Sequence, residues 1–209
     1  MTLTVATIVG SLRANSNSGR IAKAIASDAP SLALDIVAIG DLPLYNPDLD
    51  ASPPAAWSSF RARIKAADAV LFITPEYNRS VPGALKNAID VGSRPYGQSA
   101  FAGKPAAVVS SSMGPIAGFG ANHHLRQSLA FLDMPTLQQP EVYSVASATA
   151  GLMPTAASRR TTRAPSWPSS LQSFPTGLRA THRADAPHKS GREVDVRLRG
   201  RHEPVPHSF

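Results

Sequence analysis

Short apolar runs alternate along the chain with stretches in which apolar residues recur every three or four positions. The runs, rich in β-branched residues, predict strands at residues 3–9, 32–39, 69–74, 104–110 and 136–145. The periodic stretches predict helices at residues 19–27, 54–67, 82–90 and 121–132. Strands that alternate with short helices form right-handed βαβ units. The pattern therefore predicts an α/β fold with a doubly wound, five-stranded parallel sheet over residues 1–150.

Three of the predicted strands are followed by loops whose composition suits a ligand. In a parallel sheet, ligands bind beyond the carboxyl ends of the strands, so functional residues should follow Val9, Thr74 and Ser110. The first loop, residues 10–18, offers hydroxyls, backbone amides, a helix N-terminus and the cation Arg13, which together suit a phosphate dianion. The alternative is an ordinary polar loop with a serine N-cap. No GxGxxG follows this strand, which excludes a dinucleotide-type loop.

The other two loops suit a flat ring system. Residues 74–83 (TPEYNRSVPG) present amides, an aromatic ring and polar side chains at the edge of the sheet. Residues 110–114 (SSSMG) are small, and small residues let a bulky ligand approach the backbone closely.

Composition limits the kinds of chemistry available. The 209 residues include no cysteine, which removes disulfides, thiolate metal sites and cysteine nucleophiles. No cluster of His, Asp and Glu has ligand spacing, so we expect no metal. No apolar run approaches the roughly 18 residues of a membrane helix, and the first residues lack the features of a signal peptide. We expect a soluble, cytoplasmic protein without a membrane partner.

The positive charge is unevenly distributed. The chain carries a net +7, of which residues 1–150 contribute +1 and residues 151–209 contribute +6. The basic segment has no aromatic interleaving and no RNA-binding motif, so a nucleic-acid partner is disfavoured. The amino-acid composition of the chain therefore changes near Gly151.

Five motifs carry a resemblance to a known family. The segments GSLRxxSxx, LPLYNPDLD, TPEYNxSVPGxLKNAIDxxSR, GKPxxxxSSSMG and HHLRQxLxFLDMPxLxxPEV, in this order over residues 3–145, resemble the NAD(P)H-dependent FMN reductases. The resemblance implies a flavodoxin-like fold, FMN as cofactor and NADPH or NADH as hydride donor. It also implies a small-molecule electron acceptor, such as a quinone, free flavin or chromate, and a homodimer or homotetramer.

The resemblance also assigns roles to residues of the three loops. The family's phosphate loop corresponds by position to Ser11, Arg13 and Ser16, with Asn17 beside them and Ser18 where the family often has Asn. The flavin ring would lie against a second set: Pro75, Glu76, Tyr77, Asn78, Ser111, Ser112 and Gly114. The chemistry needs few side-chain acids or bases, so we name no catalytic residue. Glu76 is a candidate general acid, although a glutamate whose main chain faces the flavin is the commoner case.

A second function class stays open beside the enzyme: a non-enzymatic, flavodoxin-like electron carrier. Flavodoxins proper are usually strongly acidic, whereas residues 1–150 are nearly neutral, which favours the enzyme.

Residues 151–209 do not resemble the end of such a domain. A flavodoxin-like sheet needs a final helix after its fifth strand, but this segment is rich in Arg, Pro and Ser, with prolines at 165, 168, 175 and 187. We therefore expect an atypical tail that is either disordered or translated out of frame. A genuine basic, disordered tail is the alternative to a frameshift.

Residues 159–183 permit a choice of codons that encodes a helix in another reading frame. Codons that residues 159–183 permit, read from the third base, encode PDDARAFLAKFLAELSDWVARHSP. This is an amphipathic helix with an acidic start, and it resembles the closing helix of the FMN reductases. The hypothesis is a frameshift between about Ala148 and Arg159, in the gene or in its sequencing. Loss of that helix would expose apolar surface and could impair the chain.

Overall fold

A computed structural model describes residues 2–145 and 153–154. The strands of its sheet are β1 (Leu3–Val9), β2 (Leu32–Ile36), β3 (Ala69–Pro75), β4 (Ala106–Ser112), β5 (Val142–Val145) and β6 (Met153–Pro154). They lie in the order β2-β1-β3-β4-β5-β6, in which the first five strands are parallel and β6 is antiparallel. The five-stranded parallel sheet is thus confirmed, and the two-residue edge strand β6 was not predicted. Apart from β6, the predictions for residues 151–209 lie outside the described residues.

Four α-helices connect the parallel strands, as predicted. They are α1 (Asn17–Asp28), α2 (Ala55–Ala66), α3 (Gly83–Ser93) and α4 (Phe119–Phe131), with a 3₁₀ turn at Pro47–Leu49. The main error concerns β5, predicted from residue 136 but beginning at Val142. Two prolines, Pro135 and Pro140, lie in or beside the missing part, and proline cannot donate to a ladder.

The sheet separates two apolar clusters. Side chains of α2, α3 and α4 pack on one face, with Trp57, Phe72 and Leu125 in the cluster. Side chains of α1 pack on the other face, against strand residues such as Leu71, Val109 and Val142. Among the described residues, α1 is the one helix on that second face.

A glycine makes room for an aromatic ring in the first cluster. A β carbon placed on Gly92 of α3 would lie 2.3 Å from the Phe101 ring, closer than real β carbons come to any atom. Phe101 is fully buried and contacts Phe60 and Phe72 ring to ring. The absence of a side chain at position 92 is therefore part of how this core is filled.

Candidate functional site

The three ligand-compatible loops lie at one edge of the sheet. The registers pair Val9 of β1 with Ile73 of β3, and Pro75 of β3 with Ser111 of β4. Strands lie about 4.8 Å apart, so the loops after β1, β3 and β4 share a span of about 10 Å. Gly10 allows the first loop to approach the second, because a β carbon there would lie 3.3 Å from the Pro75 ring.

The first loop is tied to α1 and to the third loop. The Ser16 hydroxyl caps α1 by accepting a 3.1 Å hydrogen bond from the amide of Gly19. The Ser18 and Ser111 hydroxyls lie 3.3 Å apart and are both buried, while the Asn17 amide donates to the Met113 sulfur at 3.6 Å. The structure thus brings Asn17 and Ser18 against the loop after β4.

Ser11 and Arg13 lie on the outer part of the same loop. The Ser11 hydroxyl accepts from the Arg13 amide at 3.4 Å, a contact within the loop. The Arg13 side chain is exposed, and no carboxylate of the described residues pairs with its guanidinium. A fixed positive charge is therefore available in the loop that leads into α1.

The second loop is a tight hairpin turn. Tyr77 and Ser80 exchange two backbone hydrogen bonds of 2.9 and 3.0 Å across the turn. The two residues between them, Asn78 and Arg79, have φ angles of +50° and +64°. Two consecutive left-handed residues define the turns that fit the twist of a hairpin. The turn therefore holds Tyr77, half exposed, at the end of β3.

Glu76 uses its side chain to fasten this turn to α4. One carboxylate oxygen accepts from the Ala121 amide at 3.1 Å, and the other pairs with the Arg79 guanidinium at 3.1 Å. The α4 N-cap residue, Gly118, supplies no side-chain cap, so Glu76 satisfies an otherwise unpaired amide of the first turn. The Glu76 side chain is only 7% exposed, and each of its carboxylate oxygens has a partner. The carboxylate therefore serves to position the turn against α4.

Removing this carboxylate is expected to loosen both the turn and the helix. Glu76→Ala leaves a first-turn amide of α4 without its acceptor and should lower the unfolding free energy by about 2 kcal/mol. Thermal unfolding measures the loss. The matched control is Asp90→Ala, which removes an exposed ion pair with Lys86 and should cost less than about 0.5 kcal/mol. Equal losses in the two variants would contradict the role assigned to Glu76.

Two buried polar residues outside the predicted set shape the third loop. Ser110 donates to the Ala117 carbonyl at 3.0 Å, and Asn122 of α4 donates to the Ser110 hydroxyl at 3.3 Å. Within the loop, the Gly114 amide donates to the Ser112 hydroxyl at 3.2 Å. Asn122 is fully buried, and an asparagine on an apolar helix face was the available signal for this contact.

The two adjacent histidines of α4 contact different neighbours. His124 lies 3.0 Å from the Ser80 hydroxyl, and His123 lies 3.3 Å from the Tyr143 hydroxyl. Tyr143 donates to Glu141 at 2.9 Å, and burial together with this bond raises the pKa of Tyr143 to about 12. In residues 2–145 and 153–154, no three His, Asp or Glu side chains gather in a way that could hold a metal ion.

The match to a family model covers most of the described chain. Residues 3–149 match the model of the NADPH-dependent FMN reductases, which includes all three loops and the strands that carry them. The chain belongs to the NADPH-dependent FMN reductase family. As a member, it is an oxidoreductase with FMN as cofactor and NAD(P)H as hydride donor.

Two similar relatives of this reductase are named as quinone reductases. It is 67% identical over 141 residues to a quinone reductase of Pseudomonas putida, covering 66% of this chain and 76% of the relative. It is 49% identical over 144 residues to a 2-hydroxy-1,4-benzoquinone reductase of a Burkholderia species, covering 68% and 79%. The resemblance read from the motifs is thereby confirmed.

A solved structure supports the fold. The reductase superposes on a flavoenzyme NAD(P)H:(acceptor) oxidoreductase of Paracoccus denitrificans with a TM-score of 0.69. The two chains are 36% identical, and the match covers 88% of this chain and 94% of that one. The flavodoxin-like architecture is therefore confirmed. No helix within the described residues has the length and apolarity needed to cross a membrane.

The loops of the reductase fit FMN. A phosphate dianion would suit the first turn of α1, where backbone amides and the positive end of the helix dipole lie beside the Ser16 hydroxyl. The unpaired guanidinium of Arg13 adds the charge that a dianion requires. Pro75 lies in register with Ser111, so a ring would meet small side chains and main chain there.

Proposed function

We propose that this reductase is an NAD(P)H-dependent quinone reductase. The reaction consumes one NAD(P)H, one proton and one quinone, and releases NAD(P)⁺ and the hydroquinone. The observation that carries the proposal is the meeting of the three loops at one sheet edge, in a chain 67% identical to a quinone reductase. When bound, FMN supplies the hydride-carrying chemistry between donor and acceptor.

The chain's own residues bind and orient the reactants. We assign the phosphate of FMN to Ser11, Arg13 and Ser16, with Asn17 and Ser18 fixing the loop against β4. We assign the ring to Pro75–Asn78 on one side and to Ser111, Ser112 and Gly114 on the other. Glu76 holds the turn through its carboxylate, and its main chain is what faces the ring. No side-chain proton donor is needed, because solvent supplies the proton at an open loop edge.

Absorption spectroscopy followed by turnover tests the proposal. The purified chain should show the spectrum of oxidised flavin at close to one FMN per chain, and it should oxidise NADPH steadily when a benzoquinone is added. A colourless protein that takes up no added FMN would overturn the assignment of the loops.

The same assay separates the enzyme from an electron carrier. A carrier needs a separate reductase, so its FMN would stay oxidised when NADPH alone is added. Steady turnover with NADPH and quinone supports the enzyme, in agreement with the nearly neutral charge of residues 1–150.

We further infer a cytoplasmic homodimer or homotetramer. A groove of about 830 Å³ runs between α3 and α4, lined in part by Val81, Ile89 and Leu132. The neighbouring Phe131 ring is largely exposed, and apolar surface of this kind favours contact between copies. Sedimentation of the purified chain measures its mass.

We also infer that residues 1–150 form the FMN-binding domain and that the reading frame changes between about Ala148 and Arg159. The family match ends at residue 149, and the similarity to the Pseudomonas relative covers 66% of this chain. An identity of 67% over part of the chain, with the remainder of both chains unmatched, fits a change of frame better than gradual divergence.

A further inference from the structure

Large apolar side chains are exposed on the three segments that follow β1, β3 and β4, taken as residues 10–18, 75–82 and 112–118. Leu12 follows β1, Tyr77 follows β3, and Met113 and Ile116 follow β4, with exposed fractions of 61%, 53%, 59% and 47%. Exposed apolar surface that clusters around a binding site marks contact with an apolar ligand. The loops span about 10 Å, so one flat molecule can touch side chains from more than one loop.

The same loops offer little to an anion. Arg13 and Arg79 are the cations in residues 10–18, 75–82 and 112–118. Arg79 is paired with Glu76, and Arg13 is assigned to the phosphate of FMN. A negatively charged acceptor would therefore lose its hydration without gaining a counter-charge at the rim.

We propose that Leu12, Tyr77, Met113 and Ile116 form an apolar rim that selects neutral quinones with apolar substituents over anionic acceptors such as chromate. This inference rests on the proposed function, because the rim matters only if the acceptor reaches the flavin between these loops. The apolar substituent of the quinone packs on the exposed side chains while the quinone ring lies over the cofactor. Each methylene removed from water contributes to the selection.

The test compares two quinones that share one redox ring. Both carry the 2,3-dimethoxy-5-methyl-benzoquinone ring, and one bears a decyl chain at the remaining carbon while the other bears hydrogen. The parent protein should favour the decyl quinone in kcat/KM by about tenfold. In Leu12→Ser/Ile116→Ser this ratio should fall about fivefold. A second readout is the dissociation constant of the decyl hydroquinone by equilibrium dialysis, which should rise by a similar factor.

A matched variant controls for the loss of surface apolar groups in general. Leu44 and Ile36 are 79% and 50% exposed and lie outside the three loops. Leu44→Ser/Ile36→Ser should keep the ratio of the parent. The single variants Leu12→Ser and Ile116→Ser are measured as well. If the double variant binds less FMN, the single variants still give the ratio of the two kcat/KM values.

The outcomes distinguish failure of the apolar rim from failure of the proposed function. A parent that binds FMN and turns over, but shows no preference for the decyl quinone, overturns the rim. An unchanged ratio in every rim variant does the same, as does a preference for chromate over the decyl quinone. A parent that binds no FMN, or that oxidises NADPH with neither quinone, overturns the proposed function itself.

Discussion

Replacing residues 159–183 with the helix of the alternative reading frame is expected to raise the unfolding temperature by roughly 10 °C. A helix is about 10 Å wide, and five strands at about 4.8 Å spacing are wider than one helix covers. Among the described residues, α1 alone packs on the face that includes Val109 and Val142. Burying the apolar stripe of the restored helix there should add about 3 kcal/mol, which corresponds to this shift in a chain of about 200 residues.

Differential scanning calorimetry of the two chains measures the shift, and FMN content should rise with it. The control is the restored chain with the apolar stripe of the new helix changed to serine, which keeps its length and removes its buried surface. The coding DNA gives an independent check. The frameshift hypothesis is wrong if no other frame of the DNA encodes this helix, or if the restored chain unfolds at the same temperature as the original chain.

Arg13→Ala is expected to weaken FMN binding about 30-fold while leaving riboflavin binding unchanged. The exposed guanidinium has no carboxylate partner in the described part of the chain, so its charge is available to a phosphate dianion. A charge-assisted hydrogen bond contributes about 1.5–3 kcal/mol, and each 1.4 kcal/mol is tenfold in affinity. Riboflavin lacks the phosphate and therefore gains nothing from Arg13.

Flavin titration monitored by fluorescence quenching gives both dissociation constants. Arg20→Ala is the matched control, because Arg20 is an exposed cation on α1 a few residues further along. It should leave both constants near their parent values. Equal weakening for FMN and riboflavin in Arg13→Ala would show that Arg13 supports the loop and not the phosphate.

The sheet could be predicted because its central strands are buried on both faces. β1 and β3 are short runs of apolar and β-branched residues, and the predicted bounds agree with the structure to within one residue. β5 could not be predicted as well, since its apolar run is short and the residues before it, 136–141, mix apolar and polar side chains around Pro140. Pro140 was the available signal that the strand begins later, because proline within an apparent strand argues against that assignment.

The meeting of the three loops was predictable from topology, but the hydrogen bonds among their residues were not. Parallel strands deliver their following loops to one edge, which is why residues 10–18, 74–83 and 110–114 meet. The contact of Glu76 with Ala121 joins residues 45 positions apart, and that of Ser18 with Ser111 joins residues 93 apart. Such pairs depend on the angles at which α1 and α4 cross the sheet, which local sequence does not encode.

The side chains at positions 92 and 101 compete for the same space in the core. The ring of Phe101 fills the space that a side chain at position 92 would need, since a β carbon there would lie 2.3 Å from the ring. Neither position is therefore free to change alone: Gly92→Leu should be tolerated only beside a smaller residue at 101. Across the family, we expect bulk at one position to be exchanged for bulk at the other, so that the sum of the two side-chain volumes varies less than either.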